Sequence, residues 1–306
     1  MEKLRTVVKA CLTQEPQAVD IFYTDIDTTN IMISRRKNAW GFVKKCILWK
    51  SMFIYPNSKT PIDSKIRLLQ FCNSKTGEVL AMTWNMACHP VMYHSAKHLT
   101  GHFPSDIRSY LRQVHTGSIP ILFLQGFTGD IRPNNQPLPQ TIKQKIQTKL
   151  NRQRPFQAFT KSSYQEWLKN IIAYLKPLGI KFNQPVPSPA LKINVYECPL
   201  DEILSGDTNN QTLRFSAIYL NENTVIVGVS AEMVSFYSLQ LQKLFPKLTI
   251  IPVGYMGSVF GYWPTLEMID NGGYESRGFK QKFGLSGKFK DTVETIFENA
   301  MARILM

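Results

Sequence analysis

The sequence predicts an α/β domain with a mixed β-sheet core flanked by helices, and three observations predict it. Apolar runs of strand length at Val79–Cys88, Ile119–Leu124 and Thr224–Val229 each stop at polar or Gly-rich residues, as buried strands do when they deliver loops at their C-terminal ends. Between them, Phe103, Ile107, Tyr110, Leu111 and Val114 recur at helical spacing, with Pro104 in the first turn. A chain of 306 residues, 43% hydrophobic and 19% charged, is long enough and apolar enough to bury a sizeable core.

Taken in order, Leu4, Val7, Val8, Cys11 and Leu12 predict an opening amphipathic helix. Ala18–Tyr23 and Ile31–Ser34 read as short strands, Arg35–Asn38 as a polar turn, and residues 38–64 as an irregular, aromatic-rich excursion with Pro56 and Pro61. Ile66–Cys72 and Val79–Cys88 form a hairpin pattern around Asn73–Gly77. An irregular helical insertion is expected at about 133–189, with helices at Thr141–Arg152 and Tyr164–Leu175 and a Pro-rich segment at Asn183–Pro189. Strands are predicted at Ala190–Cys198, Thr212–Leu220 and Leu248–Val253, helices at Glu232–Phe245 and at the C-terminus, and a Gly- and aromatic-rich loop at Gly254–Gly278. The expectation is one domain over residues 1–306.

Composition excludes several classes. Five widely spaced cysteines without a CxxC pair support neither a zinc ribbon nor a disulfide framework. The surplus of 36 Lys and Arg over 22 Asp and Glu, +14 net, favours attraction to polyanions or to an anionic membrane surface. It comes without a zinc finger, RNP motif or dense basic arm, so no nucleic-acid partner is expected and most of it reads as a solvated face. No signal-peptide layout and no apolar run of transmembrane length is present.

The chemistry-bearing residues concentrate in Thr83–Asn135, which holds all five histidines. His89 ends a predicted strand and is fixed by Pro90; it reads equally as a metal ligand or as a hydrogen-bonded core histidine. His94, His98 and His102 recur every four residues, but Gly101 and Pro104 interrupt the helix such a metal face needs. Gly126, Gly129 and Asp130 make a tight turn after a strand, either structural or an oxyanion-binding loop. Glu232 sits at a strand–helix junction, where a carboxylate complements the helix dipole or ligates a metal. Tyr262 and Tyr274 lie in the long loop, where aromatics mostly pack.

Together and in this order, these pieces resemble the neutral/alkaline, non-lysosomal ceramidase family: Ser34-Arg35-Arg36, NMACHP (85–90), TGHFPSDIRSYL (100–111), ILFLQGFTGDIRPN (121–134), GVSAEMVS (228–235) and GYWPTLEMIDNGGYE (261–275). The resemblance implies the family's catalytic fold and a zinc-dependent amidohydrolase that cuts the N-acyl amide of ceramide into sphingoid base and fatty acid. It implies His89, Glu232 and Tyr262 as zinc ligands, Tyr274 as the residue that hydrogen-bonds the tetrahedral intermediate, and Arg35 as an arginine lining the site.

The departures from the pattern are as specific. The family's other zinc histidine belongs to a His-x-His segment ahead of the opening helix, so an N-terminally truncated, partial domain is expected. Arg132 stands where some members carry serine, His102 where an acid is common, and the family's C-terminal sandwich domain has no counterpart. The readings are therefore a zinc amidohydrolase acting on a lipid amide, or a non-catalytic remnant or binding protein of the same fold.

Overall fold

The computed structural model of the chain describes residues 2–43, 47–92, 100–115, 119–135, 158–178, 191–208 and 210–306, with a few isolated positions between 142 and 156. The 66–86 region forms the expected hairpin: β4 (Lys65–Asn73) pairs antiparallel with β5 (Val79–Met86). β1 (Val19–Asp27) flanks it antiparallel on one side, and β6 (Ile121–Gln125) joins β5 in parallel on the other, giving the order β1-β4-β5-β6. A second mixed sheet runs β12-β10-β9-β8, from Thr249–Val253, Thr224–Val229, Thr212–Tyr219 and Lys192–Pro199. Its β10/β12 pair is parallel and its other pairs are antiparallel. Mixed sheets with flanking helices are the fold class the sequence predicts.

Aromatic packing explains where the helices sit. On the first sheet, Phe103 and Ile107 of α2 (His102–Val114) and Trp167 and Ile171 of α3 (Lys161–Leu178) are buried with Trp84 of β5. The Trp84–Phe103 and Phe103–Trp167 ring centroids lie 6.2 and 5.3 Å apart, and each such fully buried large side chain contributes roughly 1.5–3 kcal/mol. On the second sheet, Tyr237 of α4 (Ser235–Leu244) and Phe297 of α6 (Val293–Leu305) pack against each other and the core. The opening helix α1 (Glu2–Leu12) forms as predicted, with all its residues exposed.

A buried polar seam joins the two sheets at the ends that carry the site. The Asn85 amide donates to the carbonyls of Leu124 on β6 and Pro252 on β12, at 2.9 Å each, and its Oδ1 accepts from Arg67. Arg67 in turn pairs with Asp63 at 2.9 Å, and the Asp63 carboxylate accepts from Ser238 on α4. Paired and hydrogen-bonded in this way, buried charges fix how elements dock without being left uncompensated.

Four expectations are corrected. Arg35–Asn38 is not a turn: it lies inside β2 (Met32–Val43), and the 38–64 excursion is a long hairpin of β2 with β3 (Ile47–Asn57). A run of charges reads as a turn because its partner, Glu275, lies 240 residues away from Arg35. Glu232 does not open a helix. It forms β11 (Glu232–Met233), a two-residue parallel pair with β13 (Tyr262–Trp263), and α4 begins at Ser235. The Gly254–Gly278 loop is therefore partly regular, containing β13, α5 (Leu266–Asn271) and a π-helical turn at Tyr274–Gly278. Most of the predicted helix Thr141–Arg152, and the Asn183–Pro189 segment, fall outside the described residues.

Candidate functional site

The site forms where the C-terminal ends of β5, β6 and β10 meet the loop after β12, the position open α/β sheets use for ligands. His89 follows β5; its backbone N–H and its ring both engage the Ile131 carbonyl, the ring through Nδ1 at 3.1 Å. A carbonyl only accepts, so Nδ1 carries a proton and donates to Ile131, which leaves Nε2 as the ring nitrogen turned toward the site. Glu232 is set by its N–H bond to the Gly261 carbonyl and by its pairing with Tyr262. His89 Nε2 and Glu232 Oε2 stand 3.4 Å apart, with side chains 12% and 13% exposed.

The Gly129–Asp130 turn is the frame beneath Glu232. Gly129 N–H is committed to the Met233 carbonyl at 2.7 Å, and Asp130 Oδ1 accepts the Ser235 N–H at the start of α4. These bonds give the turn a structural role and take up the Gly129 N–H. Side-chain space is the reason for glycine here: a Cβ at 129 would lie 2.9 Å from the Met233 carbonyl oxygen and 3.0 Å from that of Glu232. Gly129→Ala is thus expected to cost about 1–3 kcal/mol and to displace the Glu232 strand. Urea unfolding measures the first effect, and hydrogen exchange at the Glu232 amide, which is bonded to the Gly261 carbonyl, reports the second.

Opposite the pair lies a buried cationic layer. Glu275, 1% exposed, accepts from Arg35 Nε at 2.7 Å and from Arg36 Nη1 at 2.5 Å, while Arg36 Nη2 donates to the Gly272 carbonyl. This clamp holds the Arg35 guanidinium 5.5 Å from the Tyr262 ring centre and 5.6 Å from that of Tyr274. The two tyrosine rings pack edge to face at 5.4 Å. Arg132, on β7 (Ile131–Pro133) beside β2, lies over Phe156; burial and the nearby Arg35 pull its pKa down to about 10.

The electrostatics follow from these contacts. Burial would raise the Glu232 carboxyl, but the neighbouring His89 and the hydroxyls of Tyr262 and Tyr255 outweigh it and hold it below the ordinary range. Burial pushes the Tyr262 phenol up, against the pull of Arg35. Glu275 is likewise pushed up by burial and brought below its ordinary value by Arg35 and Arg36.

The folded chain therefore brings together five of the sequence-predicted residues: His89, Glu232 and Tyr262 in one group, Arg35 and Tyr274 in the layer beside it. His94 and His98 lie outside the described residues, and His102 opens α2. Among the described residues no group of three His, Cys, Asp or Glu side chains gathers here or elsewhere. Two participants were missed. Glu275 carried no signal beyond its place in the GGYE string. Tyr255 had one, a polar aromatic following directly on the end of a strand between Gly254 and Gly257.

Comparison with solved structures places the fold. A structure of neutral ceramidase from Pseudomonas aeruginosa superposes with a TM-score of 0.61 at 13% identity, over 97% of this chain and 53% of that one. The chain has a ceramidase-like fold. A ceramidase structure described as complexed with C2 gives a TM-score of 0.56 at 12% identity, over 92% and 52% of the two chains. This ceramidase-like chain thus spans about half the length of those it matches. No family model and no curated protein sequence matches it.

Two ligands of one tetrahedral zinc, at bonds of about 2.0–2.2 Å, lie about 3.3–3.5 Å from each other, and the His89–Glu232 separation of 3.4 Å has that length. The Nδ1 bond to Ile131 orients the ring as the outer partners of zinc-bound histidines do. On donor type and spacing the pair fits, with the phenols as the remaining protein donors.

Proposed function

We propose that the chain is a ceramidase-like, zinc-dependent amidohydrolase that hydrolyses the N-acyl amide of ceramide or a related lipid amide to a sphingoid base and a fatty acid. The observation that carries this reading is the His89 Nε2–Glu232 Oε2 pair, 3.4 Å apart at the strand ends of a ceramidase-like fold. His89, Glu232 and Tyr262 would hold the metal. Bound there, zinc supplies a water acidified to a pKa of about 7 and polarises the amide carbonyl.

The protein's own part is to orient and to compensate charge. Tyr274, packed against Tyr262 and Arg35, supplies the hydroxyl that hydrogen-bonds the developing oxyanion of the tetrahedral intermediate. Arg35 holds positive charge beside both tyrosines in a water-poor setting, where it favours negative charge developing on a bound carbonyl oxygen. The +14 surplus favours anionic lipid surfaces, where a lipid amide resides. No described helix is long and apolar enough to cross a membrane.

A second reading, a non-catalytic protein of the same fold, draws on the fact that His89 and Glu232 are joined by no third histidine, cysteine or carboxylate among the described residues. The two separate in one assay. Zinc-loaded protein incubated with an N-acylsphingosine in mixed micelles is expected to release fatty acid, and Tyr274→Phe is expected to lower kcat by roughly 100-fold. Folded, zinc-loaded protein that releases none would favour the non-catalytic reading.

A further inference from the structure

Tyr255 is the side chain that closes the His89–Glu232 pair. Its hydroxyl donates to Glu232 Oε2 at 2.8 Å, lies 3.4 Å from His89 Nε2, and stands 3.2 Å from Thr128 Oγ1, itself held by Gln125. One nitrogen and two oxygens therefore form a triangle with edges of 2.8, 3.4 and 3.4 Å. Two edges already match the roughly 3.3–3.5 Å expected between ligands of one tetrahedral ion. The third is a hydrogen bond, and replacing its proton by a cation lengthens it toward the same value.

The backbone around Tyr255 points the same way. Its φ is +62°, the left-handed region, where a bulky aromatic costs about 1–2 kcal/mol. Three backbone bonds hold it there: Gly254 N–H to Gln125, Tyr255 N–H to Ala231, and Met256 N–H to Val229, each at 3.0 Å. Gly254 lets the chain approach so closely, since a Cβ there would meet the Ala231 carbonyl oxygen at 3.2 Å. Non-glycine residues held in this conformation concentrate at functional sites, and here the strained residue is the one whose phenol reaches both His89 and Glu232.

We infer that Tyr255 is a further metal ligand, its phenolate oxygen joining His89 Nε2 and Glu232 Oε2 around one divalent cation. The inference rests on reading the site as a zinc centre. With Tyr262 the protein donors number four, and the five-coordination open to zinc leaves a place for water. As the ion binds, the Tyr255 O–H bond breaks, its proton passes to solvent and a metal–oxygen bond forms; no electron changes hands.

The test is direct metal binding, with no turnover required. Metal-free protein is titrated with Zn2+ by calorimetry and with Co2+ by visible absorption, as wild type, Tyr255→Phe, Tyr255→Asn and His89→Ala. Asparagine tolerates a left-handed φ, so it keeps the test open should the phenylalanine variant fail to fold. The inference expects both Tyr255 variants to bind about 10–100-fold more weakly, to release fewer protons on binding and to shift the Co2+ bands. Wild-type affinity, proton release and bands in both variants would overturn it, with the zinc centre left standing if His89→Ala alone loses the metal. Wild-type protein that binds neither ion would overturn both.

Discussion

Glu275→Gln is expected to destabilise the fold by about 3–5 kcal/mol, the largest effect on stability of any single substitution in the site. The reason lies in the two arginines the carboxylate compensates. Arg35 and Arg36 are buried in β2, each within 2.7 Å of a Glu275 oxygen, and a neutral amide leaves both cations without a counter-charge. Removing the whole set should cost less: R35M/R36M/E275L replaces three charges by apolar volume, as buried ion groups tolerate when no member is left behind. Urea unfolding of the two variants compares them, and equal stability losses would contradict the account.

The same clamp fixes a pH dependence. Burial raises the Glu275 carboxyl, but Arg35 and Arg36 carry it below its ordinary value, so the folded pKa is lower than the unfolded one. A depressed carboxylate contributes stability in full above the unfolded pKa of about 4.3 and loses it as pH falls through the native value. Wild-type stability should therefore fall steeply below about pH 4, and Glu275→Gln should flatten that part of the profile.

Glu232→Gln and His89→Ala carry the largest expected effect on function. Each removes one of the two conventional donors, and zinc affinity and lipid-amide hydrolysis should both drop by at least about 100-fold. Their effect on folding should be small by comparison. Among the described residues Glu232 pairs with no buried arginine or lysine, and Gln keeps its shape and its β11 backbone bonds, so unfolding should shift by no more than about 1 kcal/mol. The contrast with Glu275→Gln separates the residues proposed to hold the metal from those that hold the frame.

Much of this site was legible in the sequence, and the gaps have physical causes. His89 and Glu232 stood out because each sits where an apolar run stops, Tyr262 stood out through the family resemblance, and the fold brings all three together. Arg35 entered as a site residue through the family resemblance alone, and its conformation was not legible: three cations and an asparagine look like a turn unless their carboxylate partner is known. Glu232 was misplaced onto a helix because a two-residue strand has no periodicity, and the register with Tyr262 is set by tertiary pairing alone. Tyr255 had only its place after a strand end between Gly254 and Gly257 as a signal, and that place does not tell an aromatic that packs from one whose hydroxyl turns inward. That turn depends on its positive φ, which the carbonyls of Gln125, Ala231 and Val229 impose from distant strands.

The central claim, that His89 and Glu232 are two ligands of one metal centre, is tested most directly by elemental analysis of the purified chain after zinc loading and gel filtration. About one zinc per folded chain is expected, lost in His89→Ala while that variant stays folded. A folded wild-type chain without zinc, or zinc retained in full by His89→Ala, would contradict it.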